Sequence, residues 1–398
     1  MQTKDLKDNV NFFIRESELN NDEALLKQIE SVVNHPARVA KVCIMPDCHL
    51  GYGMPIGCVL ATRDAVIPNA VGVDIGCTMS LVKTSLHKED ISAEFLNRVL
   101  GGSKQYPGGI YANIPVGLKH NSKKQDSPIF AEVDRWFNTT ICKEEYESAQ
   151  HQLGTLGGGN HFIEIQEGDD GSIYIMIHSG SRNLGYKVCQ YYNKIAEELC
   201  EKYFQYEVVQ NKLAFLPKGT KEYLDYMDEM NLCIDFAREN HLLMQKKITG
   251  IIQHVYDGEV QFSTPLITTH NYATFENHWG MNVLVHRKGA IMVREGIRAI
   301  IPGSQGTASY VVEGLGNPAS LCSASHGSGR KMSRKKAKEE LNLKEEQAKM
   351  SGIVNRMNNV GDLEEAPSAY KDIEDVIKQE SMLVQPILKL RPLAVVKG

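Results

Sequence analysis

The segment 321–334, LCSASHGSGRKMSR, sets a histidine directly before a glycine turn and a run of positive charge. His326 precedes Gly327-Ser328-Gly329, and Arg330, Lys331, Arg334, Lys335, Lys336 and Lys338 place six cations within nine residues. Glycines let a backbone approach a phosphate closely, and a helix starting near Ser333 would add unpaired N–H groups and partial positive charge. An imidazole in that setting can ligate a metal, act as a general base or attack phosphorus. A lone His-Gly pair reads more simply as a surface loop. The basic, glycine-rich surroundings make the chemical reading its equal.

Five further side chains could hold cations. Asp74 and Cys77 share the glycine-kinked turn of AVGVDIGCTMSLV, expected to lie between two apolar strands. A cysteine among Val, Ile and Met is ordinarily a small buried hydrophobe, but a buried aspartate beside it needs a partner. His161 follows three glycines and Asn160, His178 ends a strand over 172–177, and His270 stands between Thr269 and Asn271 at the end of a strand over 260–268. Rigid scaffolds mount chemistry on loops at strand ends. Five donors suffice for two cations if the thiolate bridges, and paired metals can stabilise both attacking and leaving oxygens of a phosphoryl transfer. One thiolate with three imidazoles suits Zn²⁺ or Co²⁺, whereas Asp and an open coordination sphere suit Mn²⁺; spacing alone favours zinc. Asp47 and His49, two apart in PDCH, could orient a neighbouring ligand, but such a pair more often caps a turn, and neither is given a ligand role. Pro302, Gly303, Ser304 and Gly306 form a turn whose N–H groups and hydroxyls could face a ligand.

The elements that must position these groups are legible in outline. Helical spacing predicts helices over 21–33, 89–100, 131–151, 185–206, 221–250, 333–350 and 370–378. Strands are predicted over 38–45 (stopped by Pro46), 58–62, 162–165, 172–177, 260–268, 282–285 and 290–293, and in the last residues from Leu393. The Met and aromatic residues of the two long helices read as a core stripe. Candidate ligands span residues 74 to 326 without an evident linker or repeat, which predicts one integrated catalytic domain over 1–398.

Length, at 398 residues, permits a large core. A net charge of −5 advertises no global affinity for nucleic acid, so any polyanion site must be local. Nine cysteines without repeated pair spacing fit a reducing compartment rather than a disulfide framework. The N-terminal stretch lacks a signal-peptide core and no apolar run reaches membrane-spanning length, so a cytoplasmic protein is expected.

MPDCHLGYGMPIG, GVDIGC, LGGGNHFIEI, HSGSRNLG, THN, PGSQGTASY, SHGSGRKMSR, EAPSAYKDI and VVKG occur in this order. Together, over roughly 41–398, they resemble the RtcB family of RNA-splicing ligases. The resemblance implies an α+β fold of mixed β-sheets flanked by helices. It also implies a monomeric ligase that uses GTP and Mn²⁺ to join RNA 3′-phosphate or 2′,3′-cyclic phosphate ends to 5′-hydroxyl ends, in RNA repair or tRNA splicing. By the same resemblance, His326 takes GMP from GTP. Cys77 bridges two Mn²⁺ ions, with His178 and His270 completing one site and Asp74 and His161 the other. Asn160, Phe162, Ile163, Glu164, Asn271, Pro302, Gly303, Ser304, Gln305, Ser309, Gly327, Ser328, Gly329 and Lys397 would contact the guanylate, with Tyr370 packed against it. Arg182 would take a phosphate. The family pattern has Met where Gln305 stands and an aliphatic residue where Cys48 stands. Two other classes remain open on these residues: a metal-dependent phosphoesterase that only opens cyclic phosphates, and a non-catalytic RNA-end-binding protein.

Overall fold

The structure, a computed structural model, describes residues 2–398. Its fold is α+β. The largest sheet is antiparallel throughout and holds seven strands in the order Arg298–Ile301, Ser309–Gly314, Val384–Lys397, Phe162–Gly168, Ser172–Ser179, Thr78–His87, Leu266–Thr269. Its centre is the hairpin FIEIQEG and SIYIMIHS, whose side chains alternate between two buried faces. Ile163, Ile165, Ile173, Ile175 and Ile177 pack on Met244, Ile248 and Ile252 of the helix Lys221–Val255. Phe162, Tyr174 and Met176 point the other way, onto Met79, Ile300 and Leu390. Burial on both faces explains the near-continuous apolar run IYIMI in the second strand, whereas the first buries Glu164 and Gln166 on one of its faces.

A second sheet orders Val10–Phe12, Val42–His49, Ile56–Thr62, Met281–Lys288 and Asn271–His278, with only the first pair parallel. A two-stranded ribbon, Ala290–Met292 with Ser323–Ser325, delivers the chain to His326. The other half of the long helix packs with the helix Asn183–Lys202 around Trp136, Tyr192, Tyr226 and Phe236. No helix among the described residues is long and apolar enough to cross a membrane.

Four local expectations are corrected. The strand Val42–His49 runs through Pro46 because the pairing register shifts between Ile44 and His49, and proline is tolerated at such an irregularity. Asp74 follows a helical turn, Pro68–Val71, not a strand; Pro68 sits at the first helical position, where it needs no N–H. The basic segment breaks into Arg334–Glu340 and Leu343–Lys349 because Asn342 caps a new helix, accepting from Lys344 N and Glu345 N. Residues 131–151 likewise form short helices, one of them nucleated at Ile141 by a buried carboxylate, Glu229.

Candidate active site

Antiparallel pairing gathers the metal-donor candidates at one end of the strands of the large sheet. Thr78 pairs with both Ser179 and Thr269, and Phe162 pairs with His178. Strand starts at 78 and 162 therefore lie beside strand ends at 179 and 269. His161 and His178, at opposite ends of successive strands in sequence, lie at the same end of the sheet in space.

The donor atoms then fall in a row. Cys77 Sγ lies 3.5 Å from His161 Nε2 and 3.2 Å from His178 Nε2. On one side His161 Nε2 meets Asp74 Oδ2 at 3.0 Å; on the other His178 Nε2 meets His270 Nε2 at 3.3 Å. Atoms sharing one cation at ordinary bond lengths sit about 3–4 Å apart, so the spacing fits metal ligation with Cys77 in the middle. Backbone contacts hold the row. His178 Nδ1 donates to Asn160 O at 3.1 Å, which leaves its Nε2 lone pair facing the other donors. His270 N donates to Cys77 O, and Asn271 Nδ2 donates to Asp74 O.

Charge follows from burial. Desolvation first, and neighbouring imidazoles second, hold the His178 and His270 rings well below the usual imidazole range. Burial, then Asp74, pushes the Cys77 thiol up. Neutral imidazoles are ready ligands, and a divalent cation reverses the thiol's preference for its proton.

His326 faces this row, its ring centroid 4.9 Å from that of His270. Its Nδ1 donates to Asp47 Oδ2 at 2.6 Å, and its backbone N–H donates to the same oxygen at 3.1 Å. Nδ1 is thereby occupied and Nε2 is the nitrogen left for chemistry. The reading of Asp47 as a turn cap is thus corrected: it is the partner of His326. Close packing requires Gly289 opposite the ring, since its φ is +60° and an added Cβ would stand 3.0 Å from His326 Cε1 and 2.3 Å from Ile56 Cγ2.

A cavity of about 460 Å³ opens beside His326 and His178. Of the residues expected around a nucleotide, Asn160, Phe162, Pro302, Gly303, Ser304, Gln305, Gly327, Ser328, Gly329 and Lys397 line it. Ile163, Glu164, Asn271 and Ser309 are absent from that lining and stand behind it. Ile163 is in the core, Glu164 takes a hydrogen bond from Gln166, Asn271 Oδ1 accepts from Gly289 N, and Ser309 Oγ accepts from Gly303 N. Burial raises Glu164 to about 8. Arg182 donates to Gly117 O and faces His161 Nδ1 at 3.4 Å, beside the donor row rather than in the cavity.

Sequence reasoning missed two further groups here. Glu365 collects Arg330 (3.1 Å), Arg334 (3.0 Å), Lys397 (3.6 Å) and the Tyr370 hydroxyl at the cavity wall. Gln305 donates to the Glu365 carbonyl at 2.8 Å, so its amide nitrogen has a partner at the cavity wall. Asn240, on the long helix, accepts from Gly154 N and Thr155 N and donates to Ser179 Oγ and Gly180 O. It ties the turn before His161 to the residues after His178. Neither stood out locally: Asn240 lies in the polar run Arg238-Glu239-Asn240-His241 and Glu365 follows Glu364.

A family model described as tRNA-splicing ligase RtcB matches residues 28–398. The RNA-splicing ligase RtcB of Escherichia coli K12 is 34% identical over 392 residues, covering 94% of this chain and 93% of that protein. The tRNA-splicing ligases RtcB of Nanoarchaeum equitans and Archaeoglobus fulgidus are 30% and 31% identical, covering 95% and 94% of this chain and 92% and 91% of theirs.

Proposed function

The chain belongs to the RtcB family, and from that premise we propose that it is a GTP- and Mn²⁺-dependent RNA ligase joining 3′-phosphate or 2′,3′-cyclic phosphate ends to 5′-hydroxyl ends. The observation that carries the reading is His326: one ring nitrogen is tied to Asp47, the ring borders a cavity of about 460 Å³, and the row of candidate metal donors begins beside it at His270. The ligase is proposed to act as one domain over 1–398, as a monomer, in RNA repair or tRNA splicing.

His326 Nε2 attacks the α-phosphorus of GTP, a P–N bond forms and pyrophosphate leaves. Asp47 holds the Nδ1 proton and stabilises the positive charge that develops on the ring. Gly327 to Gly329, Pro302 to Gln305, Asn160, Phe162 and Lys397 surround the guanylate, and Ile163, Glu164, Asn271 and Ser309 support those contacts from behind. GMP then passes to the RNA 3′-phosphate, a dianion that otherwise offers no leaving group. Water first opens a cyclic end to that 3′-phosphate. The 5′-hydroxyl attacks the activated phosphate, the phosphodiester forms and GMP departs. Arg182 is suited to a phosphate of the RNA end. Two Mn²⁺ ions, one held by Cys77, His178 and His270 and the other by Cys77, Asp74 and His161, would supply charge neutralisation on the phosphate oxygens.

Incubation with α-labelled GTP and Mn²⁺ should label the protein through an acid-labile, alkali-stable bond. Label that persists in His326→Ala would overturn the assignment. A phosphoesterase or a passive RNA-end binder would take no label at all.

A further inference from the structure

Glu380 lies just past the helix Ile373–Gln379 and is fully buried, with no place in the chemistry above. Its Oε2 accepts the backbone N–H of Ser325 at 2.9 Å. The next N–H along the chain, that of His326, goes to Asp47 Oδ2. Two buried carboxyl groups from distant parts of the chain therefore hold successive amides on the approach to the reactive imidazole. Ser325 also links the two, because its Oγ accepts the Asp47 N–H at 3.4 Å. Each carboxyl keeps one oxygen buried and without a hydrogen-bond partner among the described residues, Asp47 Oδ1 and Glu380 Oε1. Such atoms are costly and call for a reason.

We propose that Glu380 is a positioning residue for His326, acting through Ser325 and Asp47. The ribbon that carries Ser325 is only three residues long, and Leu321 and Cys322 before it both have positive φ. A segment that short and strained does not fix its own end. Glu380 fixes it on one side and Asp47 on the other, so the imidazole has one permitted orientation. Burial, and the Asp47 charge nearby, raise Glu380 to about 8. At neutral pH it acts as an uncharged acceptor, which spares the site a second buried anion beside Asp47.

The inference rests on the nucleotide-transfer reading, and its test separates the two. Glu380→Gln keeps an uncharged acceptor of the same shape, Glu380→Met keeps the volume without the acceptor, and Glu380→Asp withdraws the oxygen. In wild type the Nδ1 proton shared with Asp47 should give a low-field proton resonance that is absent in His326→Ala. Gln should preserve that resonance and label with GTP within about threefold of wild type. Met and Asp should shift or lose the resonance. They should slow labelling by about tenfold or more, the cost of one unmade buried hydrogen bond, while KM for GTP changes little. If Met misfolds, Asp supplies the same comparison. The proposal is overturned if the folded Met or Asp variant keeps the resonance and the wild-type rate, or if Gln loses as much as they do. A resonance that moves as expected in a protein that never takes label would support the positioning role and overturn the ligase reading instead.

Discussion

Asp47 uses a single oxygen, Oδ2, to receive both the backbone N–H and the Nδ1–H of His326. The two contacts fix the place of the residue and the tilt of its ring at once. An asparagine cannot supply both the two contacts and the negative charge. If its oxygen keeps the two donors, the charge that would stabilise an imidazolium is gone; if its amide turns inward, it opposes them. Asp47→Asn should therefore slow GTP labelling by roughly a hundredfold while leaving GTP binding near wild type. Rapid-quench labelling with equilibrium binding of GTP checks this, and equal losses in both would mean that Asp47 shapes the pocket instead.

The place of Cys77 in the donor row gives a second expectation. It is flanked by His161 and Asp74 on one side and by His178 and His270 on the other. Cys77→Ala should lose more bound Mn²⁺ than Asp74→Ala or His178→Ala, each of which sits in one half only. Metal content of the purified variants decides the matter. Equal losses would place the thiol in one site rather than between two.

How much of this was legible depended on where each residue stands. Asp74, Cys77, His161, His178 and His270 each occupy a glycine turn or a strand end, positions that local patterning marks. That they form a row needed the antiparallel register, in which Phe162 pairs with His178 and Thr78 with Thr269. Asp47 was hidden by Pro46, which suggested that the strand had already stopped. Glu365, Asn240 and Glu380 carried little local signal at all. Apart from Tyr370, which follows Glu365 by five residues, their partners lie from 31 to 86 residues away in sequence, as for Arg334 with Glu365 and Gly154 with Asn240. The apolar periods that build the long helix and the central hairpin are strong, whereas the helix break at Asn342 turns on one capping side chain.

Glu229 tests the scaffold apart from the chemistry. It is fully buried and accepts from Thr140 N, Ile141 N, Cys142 N and the Tyr192 hydroxyl, with distances from 2.7 to 3.2 Å. The carboxylate sits at the N-terminus of a short helix, where negative charge is favoured. Glu229→Ala would strand several buried donors and should lower unfolding stability by about 3–5 kcal/mol. Denaturant unfolding measures it. The folded fraction should label with GTP at the wild-type rate, because none of these groups lines the cavity.

The last expectation divides the site into its two halves. If His326 serves to carry GMP, it is dispensable once the RNA end is already activated. An RNA with GMP attached through its 3′-phosphate, given a 5′-hydroxyl partner and Mn²⁺ but no GTP, should be sealed by His326→Ala. The same substrate should defeat Cys77→Ala, because sealing still requires positive charge beside the phosphate and the departing GMP. The two side chains are close enough to make the contrast demanding: His270 stands between them, 4.9 Å from His326 by ring centroids and bonded through its backbone N–H to Cys77 O. A structural disturbance spreading from either residue would therefore reach the other half. Moderate slowing in His326→Ala fits an imidazole that also helps to seat the guanylate. If both variants bind the activated RNA normally and fail on it equally, His326 takes part in sealing itself, and the division of labour drawn from its bond to Asp47 is wrong.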